Sequence, residues 1–297
     1  MGSFVDTLQF VYAPQIINGL SIGVAVVLMA LGLTIIFGLL DVINMAHGEF
    51  YALGAYVGAT LLALGVNFWI ALVLVPLIMA PLGYMTERLF IQRVFHQRDR
   101  HMLTLLLTFG LAIVLEDVYK LVFGPQPYSI DTPVSGVSEI LGVFFPNYRL
   151  FMMAIGALII AAVWLVVYKT RLGAMVRAAA FDKNMASSLG VPVSVVYAGT
   201  FAFGVALAGF AGVLLAPIYS VFPTMGKDFI LMAFTVVIVG GLGSIKGALI
   251  AGLLLTQIQS LSSLYISPSW SEPLVFSVMV VVLMLRPQGL FGRLGHA

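Results

Sequence analysis

The sequence predicts an all-α polytopic membrane protein with eight or nine transmembrane segments, two broken helices and one polar helix held between spans. Three observations lead there. Of 297 residues, 61% are hydrophobic and 9% charged, and the mean hydropathy is +1.11. A soluble domain of this length could not bury so much apolar surface, whereas a bilayer accepts it in helices that satisfy their own backbone groups. The apolar residues fall in stretches near the roughly 20 residues that a ~30 Å hydrocarbon core demands. Finally, Lys and Arg gather in a few short segments between those stretches.

In chain order, the first span is expected over Ala13–Leu39, followed by a break at Leu40–Ala46 and a segment from His47 to Leu64. Phe68–Phe90, His101–Val122 and Leu150–Tyr168 come next, then Ser194–Pro217 and Phe229–Val239. A second break occupies Gly240–Gly247, and Ala248–Leu264 and Pro273–Leu285 complete the set. No soluble domain or low-complexity linker interrupts them, so residues 1–297 read as one transmembrane domain. The longest loop, Gly124–Tyr148, contains Pro125, Pro127, Pro133 and Pro146 and is expected to be irregular.

Orientation follows from the cations. Arg88, Arg93, Arg98 and Arg100 form one cluster, Lys169, Arg171, Arg177 and Lys183 a second, and Arg286 and Arg293 a third. The positive-inside rule places all three in the cytoplasm. Two spans separate the first two clusters, which is the right parity, and the Pro-rich loop with Asp131 and Glu139 falls outside. The first Lys or Arg is Arg88, so the N-terminus has no basic region of the signal-peptide kind, and a cleaved leader is not expected. An external N-terminus with nine crossings fits. A re-entrant first segment would give eight and reverse that end.

The breaks hold residues that cannot face lipid. One contains Asp41, Asn44, His47, Gly48 and Glu49. The other contains Gly240, Gly241, Gly243, Ser244 and Lys246. Non-helical backbone at membrane depth survives only where it is buried in protein or lines a cavity, and paired breaks in two halves of a transporter point to the path. Asn44, His47, Gly48, Gly240, Gly241, Gly243 and Ser244 are therefore the candidates for lining or bracing that path. Asn44 suits an N-cap, and His47 can bond freed carbonyls. Plainer readings stand beside these: His47 as a purely structural residue, Asp41 and Glu49 at headgroup level, and the Gly-rich break as a simple hairpin turn. Glu116, Asp117 and Lys120 read as an ordinary wet boundary at the outer end of a span.

Residues 169–192 read as one polar helix with a programmed stop, Gly190 as a left-handed cap and Pro192 forbidding continuation. On that helix Met175, Ala178, Asp182, Met185 and Leu189 share one face, and Arg177, Phe181, Asn184 and Ser188 another. Such a helix between spans is a surface for a partner outside the membrane, or an interfacial anchor.

What is missing also narrows the function. No phosphate-binding loop is present: Lys246 is followed by Gly247 and its spacing is wrong, so ATP is not expected to bind here. There is no Cys, which removes disulfides, thiolate metal sites and cysteine nucleophiles. The net charge of +2 does not imply a nucleic-acid partner. Neither a serine triad nor a His-Glu-x-x-His metal motif is legible, and no cluster of intramembrane carboxylates suggests ion coupling.

Four motifs now carry a resemblance. Gly38-Leu-Leu-Asp41-Val-Ile-Asn44-Met-Ala46-His47-Gly48-Glu49, continuing to Leu53-Gly54-Ala55-Tyr56, resembles a hallmark of bacterial branched-chain amino-acid ABC permeases, with Met45 where Phe is usual. Arg171-Leu-Gly173 through Arg177, Asp182, Ala186, Leu189 and Gly190 is similar to the cytoplasmic loop of that family. Gly240–Gly247 and Arg286-Pro-Gln-Gly289-Leu-Phe-Gly292-Arg293 are similar to its C-terminal signatures. The match is collinear over nearly the whole chain.

The resemblance implies a permease subunit of an importer in the bacterial cytoplasmic membrane, closer to the smaller member of a permease pair. Its implied partners are a second related permease, two cytoplasmic ATPase subunits carrying ATP and Mg, and a periplasmic solute-binding protein; the chain itself would hold no cofactor. Residues 169–192 become a coupling helix, docked on an ATPase through Arg177, Phe181, Asp182, Ala186, Leu189 and Gly190. The implied cargo is a branched-chain or other small amino acid, with urea, short amides and aromatic acids as alternatives. The rivals of another class are a self-contained secondary transporter or channel and an intramembrane enzyme.

Overall fold

The computed structural model describes residues 8–95, 97, 99–140 and 142–292. Arg98 and Arg293, counted above with the cytoplasmic cations, lie outside the described residues.

Helix α1 spans Ala13–Leu40 after one π turn, Leu8–Tyr12. Helix α2 spans His47–Ala63, and α3 spans Phe68–Thr86, prolonged by a π turn Glu87–Ile91 and a last turn Gln92–Val94. Asn67 starts α3 by accepting the Trp69 N–H at 2.9 Å. Helix α4 is Arg100–Phe123 and α5 is Asn147–Lys169; two short helices follow, α6 at Arg171–Phe181 and α7 at Lys183–Ser188. The second half holds α8 at Val193–Leu215, α9 at Met225–Gly240, α10 at Ile245–Ser262 and α11 at Pro268–Leu285.

Among the described residues, six helical stretches are long and apolar enough to cross a bilayer: Phe10–Leu40, Phe68–Val94, Arg100–Phe123, Asn147–Lys169, Val193–Leu215 and Ile245–Ser262. Ser269–Leu285 is a shorter apolar helix. Helices α2 and α9 have 17 and 16 residues, or about 26 and 24 Å of rise, short of a full ~30 Å core.

Helices α1 and α8 form the centre. Over its most apolar window each is 83% buried, against 22% for α4 and α5, which present apolar side chains outward. A helix hydrophobic on all sides is one that is surrounded. Glycines let the central pair approach: a side chain at Gly32 would meet the Gly204 carbonyl at 2.6 Å. The two halves, α1–α4 and α8–α11, pack alike. Each half's first helix lies mainly on the third helix of the other, α1 on α10 and α8 on α3. Each also touches the other half's second helix, α1 on α9 and α8 on α2.

Two expectations are corrected here. The Pro-rich loop is not wholly irregular, because Val137–Ile140 (β1) and Val143–Pro146 (β2) form an antiparallel hairpin. Upstream, Tyr128 and Val221 exchange backbone hydrogen bonds, both 2.8 Å, tying this loop to the segment between α8 and α9. In addition, residues 169–192 are two helices. Asp182 takes an extended conformation, φ −152° and ψ 107°, and its carboxylate accepts the N–H groups of Asn184 and Met185 at 2.8 and 3.0 Å. An aspartate N-cap thus restarts the chain where one continuous helix was expected.

Candidate translocation and docking elements

The first break begins at Asp41, the one non-glycine residue with positive φ (54°) among those described. Its N–H closes α1 on the Phe37 carbonyl at 2.9 Å, and its carboxylate lies 3.3 Å from Arg100 of α4. His101 Nδ1 is 3.1 Å from the Asp41 carbonyl. Further along, Thr108 of α4 accepts the Met45 N–H at 3.1 Å and donates to the Ile43 carbonyl at 3.2 Å. A single hydroxyl thus satisfies backbone groups on both sides of Asn44, groups that lipid could not serve.

The break then delivers His47 to the flank of α1. His47 Nε2 lies 3.0 Å from the Met29 carbonyl. Met29 precedes Leu40 by roughly 17 Å of helix, so residues 41–46 climb back to the middle of α1 before α2 starts. Helix α2 therefore begins at mid-depth, which explains its length. Glu49, in its first turn, is 2% exposed, so it does not sit at headgroup level; Asp41, beside Arg100, remains at the wet end.

The matching element of the second half is 216–224, not 240–247. Gly204 is level with Gly32, which His47 flanks, and Leu215 lies roughly 17 Å further along α8. The chain then returns to place Gly226, at the start of α9, against Gly48. A side chain at Gly48 would collide with the Gly226 carbonyl and meet Ile230 Cβ at 2.7 Å. Tyr51 and Phe229 pack with ring centroids 4.6 Å apart at the same junction. Two short helices thus meet by their N-terminal turns inside the bundle, and the Glu49 carboxylate lies directly against Gly226, where the positive end of α9 favours an anion.

Charge accompanies this junction. Glu116, expected at a wet boundary, is 4% exposed. It pairs with Lys120 at 2.8 Å and with Lys227 in the first turn of α9. Tyr119 donates to the Glu49 carbonyl at 2.8 Å. Neither Glu116–Lys227 nor Thr108 was legible in the sequence, because each depends on α4 lying against α2 and α9.

Asn44 does not cap α2. The helix starts after Ala46 with no side-chain cap, and His47 N–H reaches the Asn44 carbonyl instead, at 3.3 Å. The Asn44 amide is fully buried, and among the described residues neither of its polar atoms has a partner. His47 Nδ1, Glu49 Oε2 and the Tyr51 hydroxyl share that condition. Unsatisfied polar atoms at mid-depth are costly.

The Gly-rich break is a tight turn at the far end of α9. Gly241 and Gly243 have φ of 102° and 77°, and Ser244 caps α10 by accepting the Gly247 N–H at 3.1 Å. Gly240 packs on the Gly247 backbone. The tail folds onto the same turn: Leu290 and Phe291 N–H bond the Val239 and Gly240 carbonyls at 2.8 and 3.0 Å. The two C-terminal motifs are thus one unit, the second capping the helix that ends in the first. Gly243 lies beside Gly38, so this turn abuts the end of α1 rather than the mid-depth junction.

The docking candidates divide. Phe181 and Leu189 are 88% and 78% exposed, and Met185 is 60% exposed, so an apolar strip faces outward. Ala186 is 2% exposed and packs toward α8, and Arg177 turns inward to the Val167 carbonyl with its guanidinium 5.7 Å from the Tyr168 ring. The faces expected for a single helix are rearranged because Asp182 resets the phase. Gly190, φ +83°, ends α7 in a Schellman pattern, with Gly190 N–H on the Ser187 carbonyl at 2.9 Å and Val191 N–H on Ala186 at 3.0 Å. A cleft of about 780 Å³ gathers Phe37, Asp41, Arg100, Phe181, Lys183 and Gly243. Both breaks and both short helices therefore open on one space at one end of the molecule.

Among the described residues, six long apolar helical stretches, two of them buried at the centre, with two short helices meeting inside, define a multi-pass helical membrane protein of the permease class. The chain belongs to the branched-chain amino acid transport system / permease component family, whose model matches residues 15–283. It is 32% identical to the high-affinity branched-chain amino acid transport system permease protein LivH of Escherichia coli K12, over 96% of this chain and 97% of the relative. It is 31% identical to BraD of Pseudomonas aeruginosa, over 95% and 96%. To LivM of Salmonella typhimurium it is 28% identical, over 89% of this chain and 67% of that one. No solved structure matches the chain.

Proposed function

We propose that this chain is a membrane-spanning subunit of an ATP-driven importer that carries branched-chain amino acids across the bacterial cytoplasmic membrane. It is non-catalytic and holds no cofactor. Hydrolysis of ATP with Mg belongs to two cytoplasmic ATPase subunits, a periplasmic binding protein delivers the solute, and a second permease completes the pore. The likeness to both LivH and LivM, each named for branched-chain amino acid transport, supports the cargo and the paired arrangement.

The observation that carries the mechanism is the continuity between the exposed strip of α6 and α7 and the end of α1. Phe181 and Lys183 line the same cleft as Phe37 and Asp41. An ATPase moving that strip would push on the end of α1 and on the break that leads to the α2–α9 junction. Alternating access then amounts to parting α2 from α9 at Gly48 and Gly226. In this reading all nine hydrophobic elements cross or re-enter the membrane, the N-terminus lies outside, and α6 and α7 lie in the cytoplasm.

The test is co-purification with the ATPases and the second permease, followed by ATPase stimulation by leucine-loaded binding protein and by uptake in vesicles. Stimulated hydrolysis with ATP-dependent leucine uptake is expected. Assembly and stimulation without leucine, isoleucine or valine uptake would move the cargo to urea, short amides or aromatic acids. Buried Glu49 and Glu116 give a proton-coupled secondary transporter its foothold. Uptake that needs no ATP and stops when the proton gradient collapses would establish that rival.

A further inference from the structure

A second cavity has no part in the path just described. It is a groove of about 400 Å³ between α1, α5 and α10, lined by Val24, Leu31, Ala161, Trp164 and Leu249. Lys246 lines it as well, in the first turn of α10. Lys169, the last residue of α5, holds its ammonium 5.9 Å from the Trp164 ring centre. Neither lysine forms an ion pair among the described residues. Apolar walls with unpaired cations and a tryptophan at one end copy the layout of a leaflet, hydrocarbon below and phosphate at the rim.

Charge selects the occupant. From Lys246 to Leu253 the groove follows roughly 10 Å of α10, apolar along that length and flanked by lysines at one end. An acyl chain joined to an anionic headgroup matches both parts, whereas an apolar partner helix would leave the two cations without a counter-charge.

We propose that this groove binds one anionic phospholipid of the cytoplasmic leaflet, its acyl chain along Leu31, Ala161 and Leu249 and its phosphate on Lys246 and Lys169. The lipid would fill the seam between α5 and α10 beside α1, the helix whose end meets the docking cleft. The leaflet assignment rests on the orientation proposed above; the groove and its chemistry do not. Lys246, which fits no nucleotide motif, gains a task here.

The experiment uses the assembled importer in nanodiscs of equal parts phosphatidylglycerol and phosphatidylethanolamine, extracted gently and weighed by native mass spectrometry. Retention of one phosphatidylglycerol per copy of this chain is expected. Lys169→Gln with Lys246→Gln should lower it about fivefold per lysine, the corresponding Arg pair should restore it, and phosphatidylethanolamine should be unaffected. Ala161→Trp should expel both lipids by filling the groove. Equal phosphatidylglycerol retention in the Gln pair would overturn the proposal. So would cross-linking of a single cysteine at Ala161 to the second permease, which would make the groove a subunit interface. Labelling of a cysteine at Lys246 from the outside, with retention still dependent on both lysines, would overturn only the orientation.

Discussion

Gly48 of α2 rests on the Gly226 carbonyl of α9, with no room for a side chain on Gly48 and with Gly226 covered by the Glu49 carboxylate. This contact joins the two short helices and, through them, the two halves of the molecule. Helix α2 arrives there from one end of the bundle and α9 from the other. Small residues where broken helices meet allow the closest backbone approach and leave the seam easy to part.

Gly48→Ala should therefore act as a wedge. Overpacking of a tight interior costs about 1–3 kcal/mol, and the cost falls on the closed junction. Lower thermal stability together with impaired uptake is expected. Gly199→Ala is the matched control, because a Cβ there meets nothing within 4 Å and a mid-helix Gly→Ala change favours the helix by about 0.5–1 kcal/mol. Equal melting temperatures for Gly48→Ala and wild type would show that the contact is looser than drawn.

Thr108 should behave as a structural hydroxyl. Thr108→Val preserves shape but leaves the Met45 N–H and the Ile43 carbonyl without their partner, at about 1–3 kcal/mol for each group left dry. Thr108→Ser keeps the hydroxyl and should stay within about 1 kcal/mol of wild type, the residue of a lost methyl. The comparison is read as midpoint shifts in thermal unfolding of the purified permease pair. Similar shifts for Val and Ser would mean that the methyl, not the hydroxyl, matters.

His47 should tolerate glutamine and not leucine. Its Nε2 faces the Met29 carbonyl in a fully buried site. Gln can offer an N–H there, whereas Leu cannot and should destabilise by about 1–3 kcal/mol. Substantial uptake is expected from His47→Gln. Loss of uptake in that variant, with folding and ATPase docking intact, would point to direct contact with solute or proton.

The exposed strip of α6 and α7 should separate docking from folding. Phe181→Asp with Leu189→Asp should reduce ATPase co-purification while leaving permease stability within about 0.5 kcal/mol, as for exposed sites generally. Ala186→Glu, by contrast, should destabilise the permease itself, since its side chain is enclosed by its own chain and an unpaired carboxylate would be buried. An Ala186→Glu permease that folds normally but loses the ATPases would return Ala186 to the docking surface.

Local chemistry made much of this protein legible. Apolar length marked the helices, because a bilayer sets that length directly. The break after α1 was readable because Asp41, Asn44 and Glu49 cannot face lipid, and Gly190 announced the end of α7 because few other residues tolerate positive φ. What tertiary structure decided is which groups meet across the bundle. Thr108 bracing residues 43–45, Lys227 pairing with Glu116, and the tail capping Val239 and Gly240 all join residues far apart in sequence. So does the pairing of 41–46 with 216–224: most of the latter falls between two expected spans, and only the contact of Gly226 with Gly48 shows that it doubles back along the bundle. Asp182 lies between these cases. It is a good cap by composition, but a helix interior and a helix start look alike until Ala179 and Ala186 are seen to be held by the same core. Periodicity and polarity act within a few turns of chain; burial and partnership depend on the packing of distant helices.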